Sequence, residues 1–322
     1  MTVVSKSFSK KRVVVVGGSG FIGTHLIKRL LELDILVTNF DIVEPTSLFN
    51  FSVDFFYCDI REPILIDLPY KVDVLVNLAA IHRNPGHENY EYYLTNILGA
   101  INLCRWSVAN GIGKDIFVSS ISVYGNSTTL EERVSQPKNL SNYGYSKILA
   151  ENVYLDFFQN SPNRLTIFRP AVIFGEGEKG NFSRLAKALK QRRFVIPTKK
   201  SIIKPCGYVT DFVNAIVYKI TNQDSKLFYN FSFPNQYTIR EICRSFHLIA
   251  GFGMPVILPL ERLFSLGERF FPNNSFFLRA SKLLAGNSVV PSNLLDENFE
   301  WEFDLQNALN DWKKSSNFDL EL

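Results

Sequence analysis

The chain has 322 residues, of which 46% are hydrophobic and 20% are charged. This balance excludes wholesale disorder, and the length allows one large domain or two closely joined ones without disulfides or metals. The net charge is +4, and the basic residues are scattered apart from clusters at 6–12, 187–193 and 199–204. Scattered charge favours an ordinary basic enzyme surface over nucleic-acid binding, and the two later clusters could serve an anionic substrate.

The spacings of cysteine and histidine match no metal-binding module. Cys58, Cys104, Cys206 and Cys243 form no C-x-x-C pair, and the four histidines form no H-E-x-x-H motif. We therefore expect free thiols in a reducing compartment, no metal and a cytoplasmic location. The longest uncharged stretch, 245–260, is too short and too interrupted by glycine and proline for a membrane span, and no signal peptide is recognisable.

Short apolar runs alternate with segments of helical periodicity along the first half of the chain. The runs predict strands, and the periodic segments predict helices. The predicted strands cover 12–16, 35–40, 54–57, 72–78, 116–119, 165–168 and 227–231, and the predicted helices cover 21–33, 91–108, 143–158, 182–191 and 305–312. Such alternation forms β-α-β units, so we expect an α/β fold with a doubly wound parallel sheet.

The first predicted strand leads into a G-x-x-G-x-x-G motif at Gly17, Gly20 and Gly23. Glycines here allow a tight turn and let the N–H groups of a helix N-terminus reach a pyrophosphate. Asp41 lies 18 residues after Gly23, at the end of the second predicted strand. Its carboxylate would accept hydrogen bonds from the ribose of NAD and repel the 2′-phosphate of NADP. This context predicts a site for NAD.

Two further segments carry acid/base and hydrogen-bonding groups. Tyr143 and Lys147 are four residues apart on a predicted helix, so both side chains lie on one face. An ammonium beside a phenol lowers the pKa of the phenol, which makes Tyr143 a candidate acid/base. Ser120 follows the fifth predicted strand, at the edge where open α/β sheets bind ligands.

Together these motifs resemble those of extended short-chain dehydrogenases/reductases, specifically the NAD-dependent epimerase/dehydratase group that acts on nucleotide sugars. The resemblance runs from about 12 to 312, is strongest up to Gly175, and implies a Rossmann fold, NAD as cofactor and a nucleotide-sugar substrate. The implied catalytic residues are Ser120, Tyr143 and Lys147. The implied cofactor-binding residues are Gly17, Gly20, Phe21, Ile22, Gly23, Asp41, Asp59, Ile60, Leu78, Ala79, Ala80, Asn96, Tyr143, Lys147 and Pro170.

The match is thinner on the substrate side. The substrate-binding residues implied by the resemblance are His82, Arg83, Ser120, Ser122, Asn181, Lys204 and Arg279. Lys204 stands where many members have an arginine on the substrate diphosphate, and a lysine lacks the bidentate fork. Asn77 also departs from the histidine that usually begins the family's strand-four motif.

The strand-helix alternation ends near Pro170, which suggests a second lobe. We expect 1–175, with a returning segment at about 206–233, to form the NAD-binding domain. We expect 176–205 and 234–322 to form a smaller, interleaved C-terminal lobe that binds the substrate.

The sequence leaves the reaction open. Sugar 4,6-dehydratases carry acidic residues just after the catalytic Ser/Thr, whereas this chain has Ile121 and Ser122, which disfavours dehydration. Two reactions remain: 4-epimerisation, which we favour because Asp41 suits NAD, and reduction or dehydrogenation of a keto sugar. An NAD-binding regulator or scaffold is the non-enzyme alternative, although the complete catalytic set argues against it. The resemblance also implies a homodimer through the helices at 91–108 and 143–158.

Overall fold

The computed structural model describes residues 10–45, 53–82, 87–125, 140–222, 227–258 and 299–320. The strands are β1 (Arg12–Val16), β2 (Leu36–Asp41), β3 (Val53–Tyr57), β4 (Val74–Asn77), β5 (Lys114–Val118), β6 (Leu165–Pro170), β7 (Val172–Phe174), β8 (Val195–Ile196), β9 (Cys206–Tyr208), β10 (Phe228–Phe231) and β11 (Val256–Ile257). The helices are α1 (Phe21–Glu32), α2 (Asn89–Tyr93), α3 (Gly99–Ala109), α4 (Asn142–Phe157), α5 (Asn181–Lys190), α6 (Val209–Thr221), α7 (Ile239–Ala250) and α8 (Leu305–Ser316).

Seven of these strands form one parallel sheet in the order β10-β6-β5-β4-β1-β2-β3. β1 pairs with β2 on one side and with β4 on the other. Its valines from Val13 to Val16 are buried, as expected for a strand covered by helices on both faces. The chain builds outward through β2 and β3, then crosses to β4 and continues the other way. The predicted doubly wound α/β fold is therefore confirmed, and its ligand crevice opens at the carboxyl ends of β1 and β4.

The helix predicted at 91–108 is divided into three parts. Leu94–Leu98 form a π turn between α2 and α3. A π turn adds a residue to the helical turn and occurs frequently at functional sites. Asn96 lies buried in it and holds the backbone of Ile81 through both its amide oxygen and its amide nitrogen, at 3.0 and 3.2 Å. The prediction of one continuous helix was wrong, because a tertiary contact of one side chain overrides the local periodicity here.

Two helices and four short strands of the second half were not predicted. β7 pairs with β9, and β8 pairs with β11, in two separate two-stranded sheets. α7 has signals that could have located it: Thr238 and Glu241 form a capping box, and Gly251 ends the helix with a φ of 69°. α6 has no side-chain cap at its start, so the spacing of its apolar residues was the only sequence signal for this helix.

Phenylalanines fill the core of the second half. Phe174 stacks on Phe182 with ring centroids 4.2 Å apart, and it contacts Trp312 of α8 at 5.8 Å. Phe318 also contacts Trp312, with ring centroids 5.3 Å apart. Because aromatic pairs bury large apolar areas, this cluster anchors the last helix to the body of the protein.

The cysteines are free and buried, as the sequence predicts. Among the described residues, no helix combines the length and apolar character that a membrane crossing requires.

Candidate active site

The glycine motif forms a tightly packed loop between β1 and α1. Gly17 has a φ of 78° and donates its N–H to the carbonyl of Phe40 at 2.8 Å. A Cβ on Gly17 would lie 2.8 Å from the backbone nitrogen of Ala79, and one on Gly23 would lie 2.4 Å from the carbonyl oxygen of Gly17. Only glycine permits this approach. The first turn of α1 therefore faces the end of β4 across a narrow cradle, with its N–H groups available to an anion.

Asp41 ends β2 beside this loop. One carboxylate oxygen accepts a hydrogen bond from the N–H of Ser19 at 2.9 Å, and the other accepts one from Val43 at 3.1 Å. Asn39 donates to the hydroxyl of Ser19 at 3.0 Å. Each carboxylate oxygen has a second lone pair left for a ligand. The carboxylate is thus fixed at the cradle, where a ribose would meet it.

Asp59 follows β3 at the same edge of the sheet. Arg61 forms a bidentate pair with its carboxylate at 2.5 and 2.9 Å, and this hydrogen-bonded pair holds the pKa of Asp59 below its usual value. Ile60 is 5% exposed, and a Cβ on Gly99 would lie 2.5 Å from its side chain. Ile60 therefore also fixes the start of α3, and the adenine contacts expected of Asp59 and Ile60 stay a prediction.

The segment after β4 forms the opposite wall of the cradle. Leu78 donates its N–H to Val16 at 2.9 Å, and Ala79 donates to the amide oxygen of Asn77 at 3.0 Å. The amide nitrogen of Asn77 donates to the hydroxyl of Tyr154 at 3.0 Å. Asn77 thus has a structural use at the position where a histidine is usual. Ala80, the next residue of this wall, is half-buried.

Asn96 connects this wall to the helix that carries the acid/base pair. Besides holding Ile81, its amide donates to the hydroxyl of Ser146 at 2.8 Å. Ser146 precedes Lys147 on α4. Asn96 therefore holds the segment after β4 against α4, and the cofactor contact expected of it stays a prediction.

Ser120, Tyr143 and Lys147 come together at the carboxyl end of β5. Ser120 caps the short turn at Ile121–Tyr124 and accepts the N–H of Ser122 at 3.1 Å. Its hydroxyl also lowers the pKa of Tyr143 against the effect of desolvation. Lys147 is 2% exposed, and its Nζ donates to the carbonyl of Val118 at 2.8 Å. The catalytic roles of Ser120, Tyr143 and Lys147 stay a prediction.

The pKa values at this site differ from the expectation. Desolvation raises the pKa of Tyr143 to about 12, and the Ser120 hydroxyl opposes this rise only in part. Desolvation also lowers the pKa of Lys147 to about 7. The expectation that Lys147 lowers the pKa of Tyr143 was wrong for the chain alone. The cause is burial, which disfavours the charged form of both groups.

A buried network that the sequence analysis did not identify lies behind Lys147. Glu151, one turn further along α4, pairs with Arg169 of β6 through two hydrogen bonds of 3.0 and 2.6 Å. Arg169 also donates to the hydroxyl of Tyr124 at 2.9 Å, and that hydroxyl donates to Asn230 of β10 at 2.7 Å. The negative charge of Glu151 raises the pKa of Lys147 against desolvation. The i, i+4 spacing of Lys147 and Glu151 was the available signal.

The predicted substrate residues are less completely placed. Ser122 shares a hydrogen bond of 3.1 Å with Ser120, and His82 is exposed after β4. Asn181 begins α5, where its amide oxygen accepts from Arg184 at 2.8 Å. Lys204 is half-buried before β9, and desolvation lowers its pKa to about 8. Arg83 and Arg279 lie outside the described residues.

The remaining cofactor candidates lie at the rim of the cradle or behind it. Phe21 and Ile22, in the first turn of α1, are half-buried. Phe21 packs edge-on against His25 with centroids 5.6 Å apart. Pro170 ends β6 in a buried position opposite Phe231. Within the described ranges, no three His, Cys, Asp or Glu residues cluster as a metal site.

Known proteins resemble this chain in sequence. The profile of the NAD-dependent epimerase/dehydratase family matches residues 13–231. The N-acetyl-alpha-D-glucosaminyl-diphospho-ditrans,octacis-undecaprenol 4-epimerase of Escherichia coli O157:H7 is 32% identical over 213 residues, which cover 65% of this chain and 63% of that relative. The UDP-glucose 4-epimerase of Vibrio cholerae is 28% identical over 216 residues, which cover 64% of this chain and 62% of the relative. The chain therefore spans less than two thirds of either relative.

The fold also has solved counterparts. A mutant UDP-glucuronic acid 4-epimerase from Bacillus cereus, in complex with UDP-4-deoxy-4-fluoro-glucuronic acid and NAD, superposes with a TM-score of 0.77. The match covers 97% of this chain and 100% of that chain at 19% identity, which shows a shared fold.

Glu151→Gln should lower the pKa of Lys147 below its value of about 7, because the substitution removes the negative charge that opposes desolvation. The titration can be followed by NMR of ¹³C-lysine-labelled protein, with the Lys147 signal assigned from a Lys147→Met variant. Glu151→Asp keeps the charge and serves as the matched control. An unchanged Lys147 titration in Glu151→Gln would contradict the coupling.

Proposed function

The chain belongs to the NAD-dependent epimerase/dehydratase family, and from that premise we propose that it is a 4-epimerase that uses NAD and acts on a nucleotide sugar. The observation that supports this proposal best is the meeting of Ser120, Tyr143 and Lys147 beside a glycine-only cradle. Both sequence relatives described above are 4-epimerases by name.

The residues of the cradle fit a dinucleotide. The close approaches at Gly17 and Gly23 leave room only for backbone, so the N–H groups of α1 can bind a pyrophosphate. Asp41 is fixed where it can accept from ribose hydroxyls, and Asp59 lies one strand further along the same edge. Bound in this cradle, NAD would supply reversible hydride transfer at a sugar carbon, and its oxidised form would bring a positive charge to the site.

Each catalytic side chain has a distinct task. Tyr143 removes the proton of the sugar hydroxyl and later returns it, which requires its phenolate. A pKa of about 12 keeps the phenol neutral in the chain alone, so neighbouring positive charge must favour the phenolate during turnover. Lys147 supplies such charge when it is protonated, and Glu151 supports that state. The hydroxyl of Ser120 orients the reacting oxygen, since it lies close enough to Tyr143 to oppose the rise in the pKa of that phenol.

A diphosphate is the feature that the relatives' substrates share. By their names, one relative acts on a sugar linked through diphosphate to undecaprenol, and the other acts on UDP-glucose. Lys204 suits such a group, since a pKa of about 8 leaves it mostly protonated at neutral pH in a site with little water. We therefore retain the nucleotide sugar as substrate class and treat a polyprenyl diphosphate sugar as the alternative carrier.

In this proposal, one lobe binds the cofactor and the other binds the substrate. β10, from the returning segment, joins the main sheet beside β6, which supports assigning 1–175 and about 206–233 to NAD binding. β8 and β11 pair with each other outside that sheet, which supports assigning 176–205 and 234–322 to the substrate. We also propose a cytoplasmic location, where free thiols are stable.

The test of the proposed reaction is turnover without added cofactor. The purified protein is incubated with UDP-glucose, UDP-N-acetylglucosamine, UDP-glucuronic acid and N-acetylglucosaminyl-diphospho-undecaprenol, and the products are analysed by NMR. We expect a C4 isomer with no net change in nicotinamide absorbance, because an epimerase regenerates its NAD in each cycle. Stoichiometric oxidation or reduction of added dinucleotide, with a keto sugar, would instead identify a dehydrogenase or reductase.

Tyr143→Phe keeps the ring but removes the acid/base group. We expect the turnover number to fall by about 10²- to 10⁴-fold, the usual contribution of a positioned acid/base. Binding of NAD, measured by calorimetry, should be retained. Tyr145→Phe is the matched control on the same helix, because Tyr145 is 46% exposed. A Tyr143→Phe variant with half the wild-type activity would disprove the assignment.

Asp41→Ala should relax the choice of cofactor. The wild-type protein should bind NAD much more tightly than NADP, because a carboxylate repels a 2′-phosphate. Removing the carboxylate should weaken NAD binding and reduce the difference in affinity between NAD and NADP. Titrations of both dinucleotides measure the ratio of Kd values, and equal wild-type affinities would show that Asp41 does not face the ribose.

A homodimer through α3 and α4 is part of the proposal. Val108, Tyr145 and Phe157 on these helices are 39–48% exposed, which leaves apolar surface for a partner helix. Light scattering at micromolar concentration should give twice the mass of one chain. Val108→Asp should shift the protein towards the monomer, whereas Leu248→Asp, which alters a side chain of α7 that is 64% exposed, should not. A monomeric wild-type protein would rule the dimer out.

A further inference from the structure

The ribbon of β8 and β11 presents an apolar strip to the outside. Both residues of β11 are exposed, and Ile257 is 39% exposed. Val195 of β8 lies opposite Val256, and Met254 and Leu258 flank β11 in the chain. The exposed fraction is 49% for Met254, 50% for Val256, 41% for Leu258 and 37% for Val195. Ile196, on the opposite face of β8, is fully buried and anchors the ribbon. The strip is therefore held in place yet open to its surroundings.

Positive charge borders this strip. Between Glu178 and Asp211 the sequence contains nine lysines and arginines and no acidic residue. Arg193 precedes Val195 by two residues and is exposed. A Cβ on Gly253, just before β11, would lie 2.6 Å from the side chain of Arg192. The exposed basic residues next to the ribbon are Lys187, Lys190, Arg192, Arg193, Lys199 and Lys200. We call the apolar strip and these basic side chains the ribbon face.

We propose that the ribbon face docks the protein on the surface of an anionic lipid bilayer. Apolar side chains would enter the boundary between headgroups and acyl chains, while lysines and arginines meet the anionic headgroups. Peripheral docking of this kind needs no membrane-spanning helix. It is independent of the catalytic residues, so it holds or fails separately from the proposed epimerase activity.

Other occupants fit the ribbon face less well. A second copy of the chain in a two-fold contact would bring the same positive charges against each other, which costs energy across a desolvated interface. A nucleic acid would neutralise the charge through its phosphates but leave the apolar strip in water. An anionic bilayer satisfies both the charge and the apolar surface.

Flotation of the full chain with vesicles tests the proposal. Vesicles of phosphatidylcholine alone are compared with an equal mixture of phosphatidylcholine and phosphatidylglycerol, at low and high salt. We expect binding to the anionic vesicles, weakened by salt because the headgroup attraction is screened. Lys190→Gln with Arg193→Gln should weaken binding by about 25-fold, at roughly fivefold for each charge. Lys28→Gln with Lys71→Gln removes the same charge from the other lobe and should change little.

A second pair of variants tests the apolar contribution. Val256→Ser with Leu258→Ser keeps the charge and should weaken binding to anionic vesicles by about tenfold or more. Thermal unfolding checks that each variant is folded. The proposal is overturned if anionic vesicles do not bind the wild-type protein, if the control pair loses as much binding as the ribbon pair, or if the serine variants bind normally. It is also overturned if the ribbon variants change the oligomeric mass without vesicles, which would identify a protein contact.

Discussion

Backbone-to-backbone contact at the start of α1 is the constraint on which the candidate site depends. Gly17 approaches the segment after β4, and Gly23 approaches Gly17 itself, at distances that exclude any side chain. This contact brings α1, the end of β1 and the wall after β4 to one point. The cradle, the position of Asp41 and the direction of the helix dipole all follow from it. Any Cβ here would separate the elements that the dinucleotide must bridge.

The catalytic centre depends on a balance of burial and charge. Lys147 and Tyr143 are held where desolvation favours their neutral forms, which suits neither group for proton transfer by itself. Glu151 compensates part of this cost at Lys147, and Arg169 in turn keeps Glu151 paired. Removing one partner of a buried ion pair leaves an uncompensated charge, so these positions act as one unit. The site is therefore poised to respond to the positive charge that a bound cofactor brings.

The two halves of the chain differ in how they are packed and in where their polar and charged groups lie. The parallel sheet is covered on both faces, and its edge is lined by fixed polar groups that suit a dinucleotide. The second half is held together by stacked aromatic rings around Phe174 and Trp312, and it places its excess positive charge on the outside. A lobe built this way can vary its surface without disturbing the cradle.

The sequence by itself determined the sheet, the glycine cradle and the candidate catalytic residues, because each has a local signature. Buried valine runs, glycine spacing and the i, i+4 pair of Tyr143 and Lys147 are visible without knowledge of the fold. Tertiary structure decided what depends on distant neighbours. The π turn around Asn96 arises from its contact with Ile81, the raised pKa of Tyr143 arises from burial, and the pairing of Glu151 with Arg169 joins α4 to β6. Desolvation and long-range pairing are properties of packed surroundings, so no local pattern could have predicted them.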